Sequence, residues 1–188
     1  MPLMHEIPRH QCLVYRGEPT IQLAKLAASI HIHLKANYRC LYLNSPNMVN
    51  GIRSYLIASG LNVFDEVFKR RLVLTSDRSH LRDDVFDPQL MMETLEAALN
   101  SALEDGYAGL WASGDMAWEF GEAKDFAKLV EYEHALEAFF ITHPALRGVC
   151  QYHVDLLPPG IAEQAVATHP ALYVNETLTT INPQYVPG

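Results

Sequence analysis

The sequence predicts an α/β fold, with a doubly wound, mostly parallel sheet in a three-layer α/β/α arrangement. Two observations support this prediction. Six short apolar runs alternate with segments of helical character. That alternation is typical of a parallel sheet covered by helices on both faces. The length of 188 residues suits a single domain with a sizeable core.

Apolar runs of strand length give the predicted strands in chain order. They cover residues 12–15, 40–43, 72–74, 109–112, 148–152 and 171–174. Each run is short and predominantly apolar, as expected for a strand that is buried on both faces.

Apolar stripes at helical spacing predict four helices, and a fifth follows a chain break at residues 158–160. The helical segments are 23–34, 48–56, 91–102, 129–140 and 161–168. Gly60 is a stop signal for the second helix. Asp87 followed by Pro88 predicts the start of the third, with the aspartate as N-cap and the proline at the first helical position.

Composition excludes several classes of protein. The formal charge of −8, from 14 Lys and Arg against 22 Asp and Glu, argues against direct nucleic-acid binding, which needs clustered positive charge. No run of about 18 apolar residues occurs, so no membrane span is expected. Residues 1–10 lack the apolar stretch of a secretory signal. Three widely spaced cysteines favour a reducing, cytoplasmic location over a disulfide framework.

Polar and aromatic side chains follow the predicted strands, where open α/β sheets bind their ligands. Trp118 lies on a loop beside two carboxylates, a common way to build a small-molecule pocket. The candidate ligand-binding residues are Trp118, Asp115, Glu119, His153, Asn44 and Tyr15. The alternative is that such loops are polar in any case and that several of these side chains only cap helices.

A metal- or thiol-based sensor is a second hypothesis. His10 and Cys12 form one short pair, and Cys150 and His153 form another. If the first and fifth strands are neighbours, these side chains could approach one another and bind a soft metal. Packing is the favoured interpretation, because free cysteines are among the most buried residues, and Cys40 is interpreted in the same way. The sequence therefore assigns no metal site, and it identifies no cofactor.

Enzymatic chemistry finds little support. The loop after the first strand has one glycine, Gly17, no lysine, and a carboxylate at Glu18 that would repel a phosphate. Residues 113–115 lack the frame of a nucleophile elbow. A further carboxylate pair, Glu131 and Glu133, is expected on a solvated helix face. The chain is therefore not expected to be an ATPase or a hydrolase.

Taken together, these motifs resemble the MEDS domain, the methanogen/methylotroph sensory domain named for the dichloromethane-responsive regulator DcmR. The resemblance covers about residues 9 to 185. Its segments are 10–15, 37–46, 106–121, 129–133, 150–153 and 168–170. The most specific part is the stretch Gly114-Asp115-Met116-Ala117-Trp118-Glu119-Phe120-Gly121.

This resemblance implies a cytoplasmic sensor of a simple hydrocarbon derivative, acting in a signalling or transcription-regulation system. It further implies a signalling partner or a fused effector, either a helix-turn-helix or a histidine kinase. The predicted boundaries are an N-terminal extension at 1–9, the sensory domain at 10–181 and a tail or linker at 182–188. A homodimer is one alternative for the oligomeric state, which the sequence leaves open.

The layout is also similar, more distantly, to RecA/KaiC-type ATPases. In that likeness the loop at Gly17 would be the phosphate loop, without its glycines and its lysine. The fourth strand reads Leu110-Trp111-Ala112 where an aspartate would hold magnesium. The likeness thus implies a RecA/KaiC-like fold without a phosphate loop, and a degenerate nucleotide-binding module is the alternative function.

Overall fold

The computed structural model describes residues 7–121 and 124–187. Nine strands lie within these ranges. They are β1 (His10–Tyr15), β2 (Tyr38–Leu43), β3 (Leu72–Thr75), β4 (Leu81–Arg82), β5 (Val85–Phe86), β6 (Gly109–Asp115), β7 (Leu146–His153), β8 (Ala171–Asn175) and β9 (Leu178–Ile181). Seven of them form one sheet, in the order β3-β2-β6-β7-β1-β8-β9.

Neighbouring strands of this sheet are parallel up to β8, and β9 pairs with β8 in the antiparallel direction. Strands β4 and β5 form a separate two-stranded hairpin. The predicted mostly parallel sheet is confirmed. All six predicted strands are present, and the carboxyl ends of β2, β6, β7 and β1 lie side by side at one edge.

Seven helices are described alongside these strands. They are α1 (Leu23–Lys35), α2 (Pro46–Ala58), α3 (Val63–Phe68), α4 (Pro88–Glu104), α5 (Met116–Glu119), α6 (Ala127–Thr142) and α7 (Ile161–Val166). Asp87 caps α4 as predicted, since its Oδ1 accepts a hydrogen bond of 3.1 Å from the backbone N–H of Leu90. Helix α2 ends at Ala58, two residues before Gly60, whose φ is +86°. All five predicted helices are therefore confirmed.

Two hydrophobic cores flank the sheet. Helices α1, α2 and α3 pack on one face, and α4, α6 and α7 pack on the other. Successive strand residues point to opposite faces, so Cys12 lies in one core and Leu13 in the other, as do Leu110 and Trp111. Both members of each pair are at most 3% exposed. This two-sided burial explains why the strands are predominantly apolar in sequence.

Four small elements have no counterpart in the sequence prediction: the β4–β5 hairpin, α3, α5 and β9. The hairpin strands have two residues each, and α5 has four. None of the four residues of β9 is buried, so that strand carries no apolar run. Short or solvent-exposed elements lack the periodicity that reveals longer ones.

The segment after β9 packs against the domain. Asn182 is buried, and its Nδ2 donates hydrogen bonds to the carbonyl oxygens of Val166 and His169. The N–H of Val186 donates to the carbonyl of Ala167. Residues 1–6 of the predicted extension and Gly188 of the predicted tail lie outside the described residues. None of the described helices has the length and apolar character needed to cross a bilayer.

Candidate functional site

A cleft of about 300 Å³ opens at the carboxyl edge of the sheet. Strands β1, β2, β6 and β7 each contribute to it from their last residue or the loop that follows. We call it the rim cleft, and it is lined by Tyr15, Pro19, Asn44, Ser45, Met48, Arg78, Asp115, Ala117, Trp118, Gly121, Lys124, His153 and Leu156. Five of the six predicted ligand-binding residues meet there, since Glu119 is the one that does not line the cleft.

Asp115 organises one wall of the rim cleft. It is the last residue of β6, and its Oδ1 accepts a hydrogen bond of 2.9 Å from the N–H of Trp118, which caps α5. Its Oδ2 accepts a hydrogen bond of 2.9 Å from the hydroxyl of Tyr15. Burial raises the pKa of the Asp115 carboxyl, and these hydrogen bonds oppose that shift. Asp115 therefore fixes the positions of Tyr15 and Trp118 relative to each other.

His153 offers unused hydrogen-bonding capacity to the rim cleft. Its ring stacks on that of Tyr15, with the centroids 4.8 Å apart. The residue is 8% exposed, and neither ring nitrogen has a hydrogen-bond partner among the described residues. The nearest carboxylate oxygen in an ion-pair geometry, Oδ2 of Asp155, lies 3.6 Å from Nε2. A buried, unpaired imidazole is costly unless a ligand or water satisfies it.

Trp118 forms the aromatic part of the lining. It lies in α5, and the guanidinium of Arg78 lies over its ring at 4.9 Å from the centroid. His80 Nε2 donates a hydrogen bond of 2.8 Å to the carbonyl of Glu119, which ties the loop after β3 to α5. Asn44 is paired internally, with Nδ2 donating to the hydroxyl of Tyr42 at 3.1 Å.

Two cationic residues of the cleft escaped the sequence analysis. Arg78 follows β3 by three residues, and Lys124 precedes α6. Neither stands directly after a strand of the sheet, so the position of strand ends gave no signal for them. The rim cleft therefore carries charges of both signs, since the buried carboxylate of Asp115 and the two cationic side chains line it.

Glu119 points into the interior instead of the rim cleft. It is 2% exposed, its Oε2 has no partner among the described residues, and burial raises its pKa well above the ordinary value. It lines a second, largely apolar cavity of about 60 Å³ between the sheet and helices α4 and α6. Met91 and Leu136 are among its apolar neighbours there. Trp118 and Glu119 thus point in different directions although they are adjacent in α5, as successive residues of a helix do.

We expect Gly114→Ala to destabilise the domain by about 1–3 kcal/mol, because a Cβ atom on residue 114 would lie 1.6 Å from Oε1 of Glu119. Urea unfolding of Gly114→Ala in the native and the Glu119→Ala backgrounds measures the coupling. The cost of Gly114→Ala should fall in the second background, since the clashing atom is gone. An equal cost in both would show that Glu119 does not occupy this position.

The loop after β1 uses its backbone amide internally. Gly17 has a φ of +74°, and its N–H donates a hydrogen bond of 2.9 Å to Oδ2 of Asp155. Arg16 donates to the other oxygen of the same carboxylate, also at 2.9 Å. These contacts lower the pKa of Asp155, with the Gly17 hydrogen bond as the largest cause. A carboxylate therefore occupies the amide that a phosphate loop would present to its ligand.

Only two of the four residues in the metal- or thiol-sensor hypothesis, His10 and Cys150, lie in a group of possible metal ligands among the described residues. Strands β1 and β7 are neighbours, with Cys12 opposite Cys150, as that hypothesis required. However, His153 lies at the rim, and Cys12 is not part of the group of ligating atoms. His10 and Cys150 instead meet two residues that the hypothesis did not include, Glu133 and His169, within 4.8 Å of one another.

The expectation of a solvated face at Glu133 is wrong, since this residue is fully buried. Burial raises its pKa to about 8. The sequence held a usable signal, because Glu133 stands four residues after the buried Leu129 and so on the same helix face. Glu131, by contrast, is exposed as expected.

The family model for MEDS matches residues 9–170 of this chain. The family is described as the methanogen/methylotroph, DcmR sensory domain. The match runs from just before β1 to the residue that precedes β8, and so includes every strand end that lines the rim cleft. Among curated protein sequences, none matches the chain. Because the family match covers most of the sequence and agrees with the resemblance seen in its motifs, the chain belongs to the MEDS family of sensory domains.

Proposed function

We propose that this MEDS domain is a cytoplasmic sensor that binds a simple hydrocarbon derivative, or a similar small ligand, in the rim cleft. One observation carries the proposal. The half-buried ring of Trp118 and the unpaired imidazole of His153 line the same cleft of about 300 Å³. Small-molecule sites combine apolar surface with a few polar groups that converge on the ligand.

The lining residues have different roles in this proposal. Trp118 supplies apolar contact area, and His153 supplies a hydrogen bond to a polar atom of the ligand. Tyr15, Asp115 and Asn44 already bond to protein groups, and they hold the wall in place. Residues that are fixed before binding reduce the entropy lost when the ligand binds.

A signal requires that the ligand favour one of two conformations through different contacts in each. We propose the contact between Trp118 and Arg78 as the part of the cleft that changes. It joins α5 to the loop after β3, and a ligand lying on the ring would compete with the guanidinium. The output passes to a signalling partner or a fused effector, either a helix-turn-helix or a histidine kinase. With a charge of −8, any contact with DNA belongs to that effector and not to this domain.

We further propose that the domain has no ATPase or hydrolase activity. The hydrogen bond from Gly17 to Asp155 supports this, because an anionic ligand at that amide would meet a carboxylate. The degenerate nucleotide-binding module is the competing function, and it makes a different prediction in the same assay.

The test is a thermal-shift screen with dichloromethane, methanol and Mg²⁺-ATP. A binder at about 100 times its Kd should raise the melting temperature by about 5–11 °C. We expect this rise for a hydrocarbon derivative, its loss in Trp118→Ala and its reduction in His153→Ala. Tyr55→Ala, which removes an exposed aromatic ring from α2, is the matched control and should respond as the native chain does.

Circular dichroism must show that Trp118→Ala keeps its helices. A response that survives in this variant would place the ligand elsewhere. A shift with Mg²⁺-ATP alone would favour the nucleotide-binding alternative, and a panel without any binder would contradict the proposed ligand class.

A further inference from the structure

Four side chains from distant parts of the chain converge in the core that lies between the sheet and α6. They are His10 on β1, Glu133 on α6, Cys150 on β7 and His169 just before β8. Each is at most 6% exposed. We call them the His-Glu-Cys-His cluster. Polar groups with so little access to water need partners inside the protein.

The spacing of the cluster fits a tetrahedral ion. Nε2 of His10 lies 3.6 Å from Sγ of Cys150 and 3.9 Å from Oε2 of Glu133. That same Oε2 lies 3.5 Å from Nε2 of His169. Around Zn²⁺, with bonds of about 2.0–2.3 Å, ligand atoms stand about 3.3–3.8 Å apart. The ligand atoms therefore need to move by only a few tenths of an ångström along these three edges.

Hydrogen bonds fix the tautomer of both imidazoles so that a lone pair faces the cluster. Nδ1 of His169 lies 2.9 Å from the carbonyl oxygen of Ala165, which can only accept, so Nδ1 carries the proton. Nδ1 of His10 donates to Oε2 of Glu137 at 2.6 Å. In each ring Nε2 is left with its lone pair, and carboxylate or carbonyl partners of this kind accompany most metal-bound histidines.

Two atoms of the cluster have no hydrogen-bond partner among the described residues. They are Oε2 of Glu133 and Nε2 of His169, and both are fully buried. The other oxygen of Glu133 accepts a hydrogen bond from the hydroxyl of Tyr152. An unpaired buried acceptor costs about 1–3 kcal/mol, so two that face each other at 3.5 Å need a shared partner, either a proton on the Glu133 carboxyl or a metal ion.

Charge balance favours a divalent ion as that partner. Each imidazole donates from Nδ1 to an oxygen acceptor and keeps a lone pair on Nε2, so as a ligand it contributes no charge. A bound metal ion would displace the protons of Cys150 and Glu133 to solvent, and the resulting thiolate and carboxylate would contribute two negative charges. A dication with these four ligands forms a neutral unit, which is the arrangement that a dry interior tolerates.

We propose that His10, Glu133, Cys150 and His169 form a binding site for a divalent transition-metal ion of the zinc class. The donor set of two imidazoles, one thiolate and one carboxylate suits Zn²⁺ and is too soft for Mg²⁺ or Ca²⁺. Four protein ligands leave no open position, as in structural zinc sites. The ion would tie β1, α6 and β7 to the segment before β8.

The experiment uses Co²⁺ as the probe. The 188-residue chain is unfolded in urea with a chelator present, freed of the chelator, and refolded with one equivalent of Co²⁺. We expect one bound ion per chain, the visible absorption of tetrahedral Co²⁺ and the near-ultraviolet charge-transfer band of a cobalt–thiolate bond. Added Zn²⁺ should abolish both bands and raise the melting temperature of the chain.

Variants assign the ligands. Cys150→Ser should lose the charge-transfer band and at least about 100-fold in Co²⁺ affinity, which exceeds the range for an outer partner. Cys12→Ser is the matched control, since Cys12 lies on β1 opposite Cys150 and is also buried, and it should keep the band. Glu137→Gln should bind Co²⁺ about 10–100-fold more weakly, because it only orients His10.

The native chain alone tests whether the His-Glu-Cys-His cluster binds a metal ion. If it refolds with Co²⁺ and shows neither band, the cluster is a hydrogen-bonded part of the core and the proposal is overturned. Bands that persist in Cys150→Ser would overturn the assignment of the thiolate. If that variant does not fold, His169→Gln serves instead, and it should lose the tetrahedral spectrum. Trp118→Ala should keep the metal, which separates this test from that of the rim cleft.

Discussion

Gly109→Ala should lower the free energy of unfolding by more than about 3 kcal/mol, beyond the usual range for overpacking. Gly109 begins β6, where a Cβ atom would lie 1.9 Å from the carbonyl oxygen of Ala145 and 3.0 Å from the ring of Tyr38. Because the obstacle is backbone, a change of rotamer cannot relieve it. The adjacent hydrogen bond from Leu110 N–H to that carbonyl would break as the strands separate.

Thermal and urea unfolding measure this loss, and a domain of this length should melt at least about 6–12 °C lower. Gly106→Ala, in the loop that precedes β6, is the matched control. It has a φ of +83° but no neighbour within 4 Å of its Cβ position, so only left-handed strain of about 1–2 kcal/mol is expected. Equal losses in the two variants would refute the close approach of β6 to Ala145.

Asp115→Ala should cost about 2–4 kcal/mol and should also disrupt the rim cleft. The variant removes the cap of α5, worth about 0.5–2 kcal/mol. It further leaves the buried hydroxyl of Tyr15 without its acceptor, at about 1–3 kcal/mol. Tyr15 and Trp118 would lose the hydrogen-bond acceptor that they share. Ligand binding should therefore weaken together with the stability of the domain.

Asp155→Ala is the control for this prediction. Asp155 stands at the same edge, but its side chain is 42% exposed, so its ion pair with Arg16 and its hydrogen bond from the Gly17 N–H should stabilise the domain less than the buried contacts of Asp115 do. Urea unfolding and the thermal-shift assay should be run on both variants. If Asp115→Ala lost ligand binding at unchanged stability, Asp115 would contact the ligand directly and would not be a positioning residue.

The rim cleft shows how far sequence reasoning reaches for a site. Tyr15, Asn44, Asp115 and His153 stand at or directly after the ends of parallel strands, and parallel strands end at the same edge of a sheet. Their convergence therefore follows from the strand assignment alone. Arg78 belongs to a longer loop, whose path depends on the packing of the β4–β5 hairpin and is not encoded in any short pattern.

Carboxylates mark the limit of that reasoning. Glu119 was grouped with Trp118 because the two are adjacent in sequence, yet adjacent helical residues point in different directions. Glu133 was expected in solvent because it is charged, although its spacing from Leu129 places it on the buried face. A charged residue on an apolar face is buried only when tertiary partners such as Tyr152 compensate it, and composition cannot reveal them.

By itself the sequence determined the layered α/β fold, the edge of the sheet that carries the cleft and the family to which the chain belongs. Local periodicity and the positions of the strand ends are enough to predict these three features, because strands that are buried on both faces are predominantly apolar in sequence. Only the tertiary structure decided that the charged groups of Glu119 and Glu133 are buried, because their burial depends on partners from other elements. It alone brought His10, Cys150 and His169 together, because their meeting depends on the pairing of β1 with β7 and the packing of α6 across the sheet, which join residues more than a hundred positions apart.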